Sequence, residues 1–136
     1  MSKGEKHHRT IRSFVRRAGR MTASQERALE TLWPKFGIEY SPQEIDFENL
    51  FGRRADTVLE VGFGNGDSLV AAAVAHPEQD FIGIEVHEPG IGHCLIGMRE
   101  SGIGNVRIIA HDAMEVLRNQ VAAGSLARIN LLFPDP

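Results

Sequence analysis

Cysteine occurs once in this chain, at Cys94, so no internal disulfide can form and no thiolate framework for a metal is available. A lone thiol of this kind reads as a small packed hydrophobe rather than a nucleophile. No apolar run approaches the roughly 20 residues that span a bilayer. No charged-apolar-small leader pattern opens the chain either, so the cytoplasm is the expected compartment. Metal-ligand spacing is missing as well: His7 and His8 are adjacent, do not share a helical face and have no further ligand nearby. Aromatic residues are sparse at 7%, but 42% hydrophobic and 24% charged residues over 136 positions are the balance of one soluble globular domain.

Charge is unevenly spread. The net charge is −3, yet residues 1–27 contain eight basic and two acidic residues, leaving an acidic remainder. Arg9, Arg12, Arg16 and Arg20 would share one helical face, with Arg17 beside them. Guanidinium groups grip phosphates bidentately, so this stretch reads either as an RNA-binding arm or as a solubilising tail, and charge alone leaves both open. Thr22 and Gln25 have capping-box spacing, which predicts a helix from about Ala23 to Trp33 that Pro34 stops. Ala28, Leu29 and Leu32 give that helix an apolar stripe, and Trp33 reads as a packing anchor. Residues 35–54, punctuated by Gly37, Pro42 and Gly52, read as linker-like with a short helical piece and no chemistry. The expected division is therefore an arm and helix over residues 1–50 and a main domain over residues 51–136.

The main domain is organised around Thr57-Val58-Leu59-Glu60-Val61-Gly62-Phe63-Gly64-Asn65-Gly66-Asp67, a short apolar run followed by three alternate glycines and an alanine-rich segment. The order predicts strand, tight turn and helix, which brings bare backbone and free amides toward a ligand. A dinucleotide fingerprint needs G-x-G-x-x-G/A, and neither glycine frame supplies it: the third small position falls at Asp67 or at Leu69. Glu60 argues the same way, since a carboxylate there would face a pyrophosphate with like charge, whereas a ligand with a cationic amino-acid end would welcome it. An NAD-dependent oxidoreductase is thus the weakest reading.

Strand and helix alternate from Thr57 onward, the pattern of a parallel sheet covered on both faces. Strands are expected near 57–61, 80–85, 105–110 and 128–133, with helices near 67–76, from the Pro89 region to about 100, and near 113–121. Ligands of such sheets bind beyond the carboxyl ends of the strands. Each expected strand has an acidic residue there: Glu60, Glu85, Asp112 and Asp135. Glu60 can bind an ammonium, Glu85 both hydroxyls of a ribose, and Asp112 an adenine exocyclic amine, with the main chain near Ala113 completing the base pocket. Asp135, stiffened by flanking prolines, stands where an acceptor must approach.

Glu60-x-Gly62-x-Gly64-x-Gly66 at the end of a first strand resembles the S-adenosylmethionine-binding motif of Rossmann-like methyltransferases. Taken with Arg12-Ser13-Phe14-Val15-Arg16-Arg17-Ala18-Gly19-Arg20, Gly83-Ile84-Glu85-Val86-His87-Glu88-Pro89-Gly90, His111-Asp112-Ala113 and Phe133-Pro134-Asp135-Pro136, the chain resembles the bacterial tRNA (guanine-N7)-methyltransferase family over nearly its whole length. The resemblance implies an α/β Rossmann-like S-adenosylmethionine-dependent methyltransferase fold with a parallel sheet, here reduced to its first four strands behind a basic arm. It also implies methyl transfer to N7 of a guanine in the tRNA variable loop. Glu60, Gly62, Gly64, Gly66, Glu85, Asp112, Ala113 and Asp135 would be cofactor residues, Asp135 catalytic as well, and Arg9, Arg12, Arg16, Arg17 and Arg20 would meet RNA.

Members of that family continue past P-D-P with a tryptophan, a basic stretch and further strands. This chain is therefore expected to be a truncated member whose last strand is an exposed apolar edge. A methyltransferase acting on another substrate and an inactive remnant that binds S-adenosylmethionine or RNA are the alternatives.

Overall fold

The computed structural model describes residues 21–132. The basic positions Arg9, Arg12, Arg16, Arg17 and Arg20, and the acidic position Asp135, lie outside the described residues.

The first helix, α1 (Ala23–Thr31), starts as its sequence predicts. Thr22 Oγ1 accepts from the Gln25 amide at 3.0 Å, and the Gln25 side chain accepts from the Thr22 amide at 3.1 Å. Its end differs from expectation. The helix stops at Thr31, and a separate turn, α2 (Trp33–Phe36), takes Pro34 into its first turn. Proline lacks only a donor that a helix start leaves unused, so Pro34 begins a helix here instead of ending one. Trp33 is buried, and its indole Nε1 donates to Glu39 Oε2 at 2.6 Å.

The linker reading of residues 35–54 is corrected by a short strand, β1 (Gly37–Ile38), which joins the main sheet at its edge beside β4 (Val106–Ile109). Gly37 is required at that place because a Cβ would lie 2.2 Å from the Trp33 ring. A two-residue edge strand leaves no alternating pattern to read, since its position is set by pairing with residues far along the chain, Gly37 with Ile108 and Ile38 with Ile109. The short helical piece is present as α3 (Phe47–Phe51), capped by Asp46, whose Oδ1 accepts from the Asn49 amide at 3.1 Å.

From there the order is β2 (Thr57–Val61), α4 (Asp67–Ala75), β3 (Asp80–Ile84), α5 (Glu88–Ser101), β4, α6 (Ala113–Asn119) and β5 (Arg128–Leu131). All pairings are parallel, in the spatial order β1-β4-β3-β2-β5. Among the described residues the sheet therefore has five strands, not the four expected.

Side chains alternate between two apolar layers, as the strand period demands. Val58, Phe81, Val106 and Ile108 pack under α1, α4 and α5, whereas Leu59, Ile82, Ile84 and Ile109 pack against α3 and α6. α1 lies close on α5: a Cβ at Gly92 would stand 2.9 Å from Gln25. The chain moves outward from β2 through β3 to β4, then returns to place β5 on the other side of β2. Strand order reverses at β2, and the carboxyl ends of β2 and β5 open the crevice where sheets of this class bind ligands. β5 has one strand neighbour among the described residues, and Ile129 and Leu131 on it are 47% and 56% exposed.

Candidate functional site

The glycine loop follows β2 directly. Gly62, Gly64 and Gly66 all have positive φ, at 76°, 66° and 82°. The three differ in surroundings. A Cβ at Gly66 would lie 2.4 Å from Cys94 Sγ on α5, so this glycine lets the start of α4 sit against α5. A Cβ at Gly64 would meet nothing within 4 Å, leaving the backbone there bare toward the open side of the loop. The Gly64 carbonyl in turn presses on α5, 2.1 Å from where a Cβ on Gly90 would be. Within the loop, Asn65 Oδ1 accepts from the Asp67 amide at 3.0 Å.

Glu85, just past β3, is tied to this loop. Its Oε1 accepts from the Gly64 amide at 2.7 Å, and its Oε2 accepts from the amides of Val86 and His87, both at 3.1 Å. A carboxylate offers about four lone-pair positions, so three backbone donors lock the group in place and leave one position for a further donor.

Glu60 is the least satisfied group of the site. It sits at the end of β2 with only 6% of its surface exposed. Its register partners are Gly83, which has no side chain, and Asn130 on β5. Asn130 Nδ2 donates to Glu60 Oε2 at 3.3 Å, while Oε1 is buried with no hydrogen-bond partner among the described residues. A buried carboxylate with one long neutral contact is costly, and a donor or cation brought to Oε1 removes that cost.

Asp112 caps α6, with its Oδ2 accepting from the Glu115 amide at 3.1 Å, and is otherwise exposed. Ala113 is the first residue of α6 and is partly buried in the lower apolar layer. The structure thus carries Glu60, Gly62, Gly64, Gly66, Glu85, Asp112 and Ala113 on the carboxyl edge of the sheet, and joins Glu85 to Gly64 directly. Cys94 beneath the loop is inert: burial, then the charges of Asp67 and Glu60, push its thiol up to about 12.

Three residues of this edge escape a reading of the sequence. Asn130 becomes visible only once β5 is paired with β2. Glu88, at the start of α5, has a buried Oε1 without a partner among the described residues. Tyr40, two residues past β1, stacks on His111 with ring centroids 3.8 Å apart. No periodicity or motif spacing marks any of them.

A family model described as "Putative methyltransferase" matches residues 54–136. The chain belongs to this methyltransferase family. Among curated methyltransferase relatives, it is 57% identical over 131 residues to a tRNA (guanine-N(7)-)-methyltransferase of Shewanella pealeana, covering 96% of this chain and 55% of that one. A protein of the same description from Sodalis glossinidius is 56% identical over 128 residues, covering 94% and 54%. The chain spans about half the length of the curated relatives it matches. Two solved methyltransferases share the fold. One is described as an antibiotic-related methyltransferase, with a TM-score of 0.50, 18% identity and coverage of 70% of this chain and 51% of that one. The other, the 16S rRNA methyltransferase KamB, has a TM-score of 0.50, 20% identity and coverage of 69% and 45%. The α/β methyltransferase fold expected from the glycine loop is the fold observed.

Proposed function

We propose that this chain binds S-adenosylmethionine and belongs to an enzyme that methylates N7 of a guanine in the variable loop of tRNA. The observation that carries the reading is the buried Oε1 of Glu60, without a hydrogen-bond partner among the described residues, beside a bare glycine loop at the point where strand order reverses. An ammonium fits that oxygen and a pyrophosphate does not. The description of relatives 56–57% identical to this chain supports the choice of tRNA and of N7.

In this reading Glu60 holds the methionyl ammonium, directly or through water, and the one free lone-pair position of Glu85 accepts from a ribose hydroxyl, one of the two its carboxylate was expected to take, while the others stay on the backbone. Asp112 accepts from the adenine amine, and the main chain near Ala113 completes that pocket. Gly64, where a side chain would stand in open space, lets the ligand lie against the backbone, and Gly62 and Gly66, which pack against Leu132 and Cys94, give the loop the turn that presents it. When bound, the cofactor supplies an electrophilic methyl group on sulfur. Guanine N7 carries an in-plane lone pair at neutral pH, so the protein needs orientation more than a strong base. Asp135 is assigned to orient the guanine and to stabilise the charge that grows on it. Arg9, Arg12, Arg16, Arg17 and Arg20 are assigned to tRNA phosphates, and the cytoplasm is the compartment in which such a substrate is met.

Calorimetric titration of the 136-residue chain with S-adenosylmethionine, with NAD as the control, tests the cofactor. Saturable binding of the first and none of the second is expected; a folded chain, by circular dichroism, that binds neither would overturn it. Methyl transfer to tRNA by the protein at the length of its relatives tests the substrate. Deleting residues 1–21 should abolish that transfer, and undiminished transfer would remove the arm from the assignment.

A further inference from the structure

The parallel register between β1 and β4 pairs Ile38 with Ile109 and, continued by two residues, sets Tyr40 beside His111 beyond the carboxyl ends of the strands. The two rings are stacked at 3.8 Å with only 6° between their planes. His111 is also held at its edge, with Nε2 2.6 Å from Glu115 Oε1. The Tyr40 hydroxyl accepts from Asn119 Nδ2 at 2.6 Å. Asp112 lies between these contacts, immediately after His111, and its own Oδ2 accepts from the Glu115 amide at 3.1 Å.

Tyr40 therefore reaches both ends of α6: the β4–α6 turn through His111, and the last helical residue through Asn119. The His111–Glu115 pair is too exposed, at 30% and 50% of the side chains, to add much stability. Its effect is to fix where the turn stands. A carboxylate that reads a base by one hydrogen bond discriminates only if it cannot move to follow the wrong base.

We propose that Tyr40 and His111 are positioning residues that hold Asp112 in place and thereby make the site selective for adenine over a 6-oxo purine. The inference rests on the S-adenosylmethionine reading and extends it to a segment in which the sequence shows no chemistry. Adenine presents an amine hydrogen to Asp112, whereas hypoxanthine presents a carbonyl oxygen, which a fixed carboxylate repels. With the stack removed, the turn can withdraw and the penalty on the 6-oxo base shrinks.

The test is calorimetric binding of S-adenosylhomocysteine and its deaminated counterpart, S-inosylhomocysteine, to the 136-residue chain and to Tyr40→Ala, Tyr40→Phe and His111→Ala. The unsubstituted chain should favour the adenine compound by about tenfold or more, the scale of one hydrogen bond lost or turned repulsive. Tyr40→Ala and His111→Ala should bring the ratio toward one, and Tyr40→Phe, which keeps the stacking ring, should restore it. If Tyr40→Ala weakens both compounds equally, the residue is packing only and the positioning role is overturned while the cofactor reading stands. If the unsubstituted chain binds neither compound, the cofactor reading and the positioning role fail together.

Discussion

Asn130 and Glu60 face each other across the β2–β5 pair, and the 3.3 Å contact from Asn130 Nδ2 satisfies one carboxylate oxygen while Oε1 stays buried with no partner among the described residues. The arrangement leaves a buried acceptor short of a donor, which costs the fold stability.

Glu60→Gln should accordingly separate binding from folding. Neutralising the side chain removes the buried charge, so the unliganded chain should melt at the same temperature or higher, by up to about 1 kcal/mol of added stability. Affinity for S-adenosylmethionine should fall at least about tenfold, the scale of a lost charge-assisted contact. Thermal unfolding paired with calorimetry measures both, and a parallel loss of stability and affinity would make Glu60 a structural residue instead.

Gly64 and Gly66 of the glycine loop predict unequal responses to the same substitution. Gly66→Ala strains a backbone at φ 82° and drives a methyl group to 2.4 Å from Cys94 Sγ, whereas Gly64→Ala at φ 66° meets only the backbone strain. The cost should be about 1–2 kcal/mol at Gly64 and at least about 1 kcal/mol more at Gly66. Urea unfolding of the two variants gives the difference. Equal losses would mean that α5 moves away from the loop freely.

Cys94 should leave a signature at alkaline pH. Burial, with the Asp67 and Glu60 charges behind it, raises the folded thiol from 9.0 to about 12, so the neutral form is favoured in the folded state. The unfolded chain loses its thiol proton near pH 9 while the folded chain retains it. The resulting stabilisation is complete below that pH and is lost as pH rises toward 12, with a slope of up to about 1.4 kcal/mol per pH unit. Cys94→Ala should flatten this limb in denaturant titrations between pH 9 and 11. In the folded chain at pH 8 the thiol should resist alkylation that the denatured chain undergoes readily.

At the opposite, amino edge of the sheet, Arg53 and Asp80 predict a second asymmetry. Asp80 is 2% exposed, and Arg53 donates to its Oδ1 from Nη2 at 2.7 Å and Nε at 3.1 Å while also binding the Pro77 and Gln79 carbonyls. The hydrogen bond to Asp80 holds the guanidinium above its ordinary range. Arg53→Ala would strand a buried carboxylate and should cost about 2 kcal/mol or more, even after discounting for the partial exposure of the arginine. Asp80→Asn removes that charge and keeps an acceptor, so it should cost less. Urea midpoints reversed in order would contradict this account.

β5 supplies the last prediction. Its outer edge, which no strand among the described residues covers, and the exposed side chains of Ile129 and Leu131 favour pairing between copies as concentration rises. Leu131→Lys should lower the weight-average mass seen by sedimentation at high concentration without altering the melting temperature. An unchanged, monomeric mass in both proteins would show that the edge is protected.

What the amino-acid sequence determined alone are the features whose causes are local. The capping box of Thr22 and Gln25, the strand-glycine-helix order around Gly62, Gly64 and Gly66, and the alternation from Thr57 to Leu131 were legible because they depend on residues a few positions apart. The acidic edge of Glu60, Glu85 and Asp112 followed from that alternation. What the tertiary structure decided are relationships between residues far apart in the chain. The two-residue strand Gly37–Ile38 exists only because β4 is there to pair with it. Asn130 meets Glu60 only after β5 crosses back beside β2, and Tyr40 meets His111 only through the β1–β4 register. Hydrogen bonds and ring contacts of this kind form on completion of the sheet, so no pattern along the chain announces them.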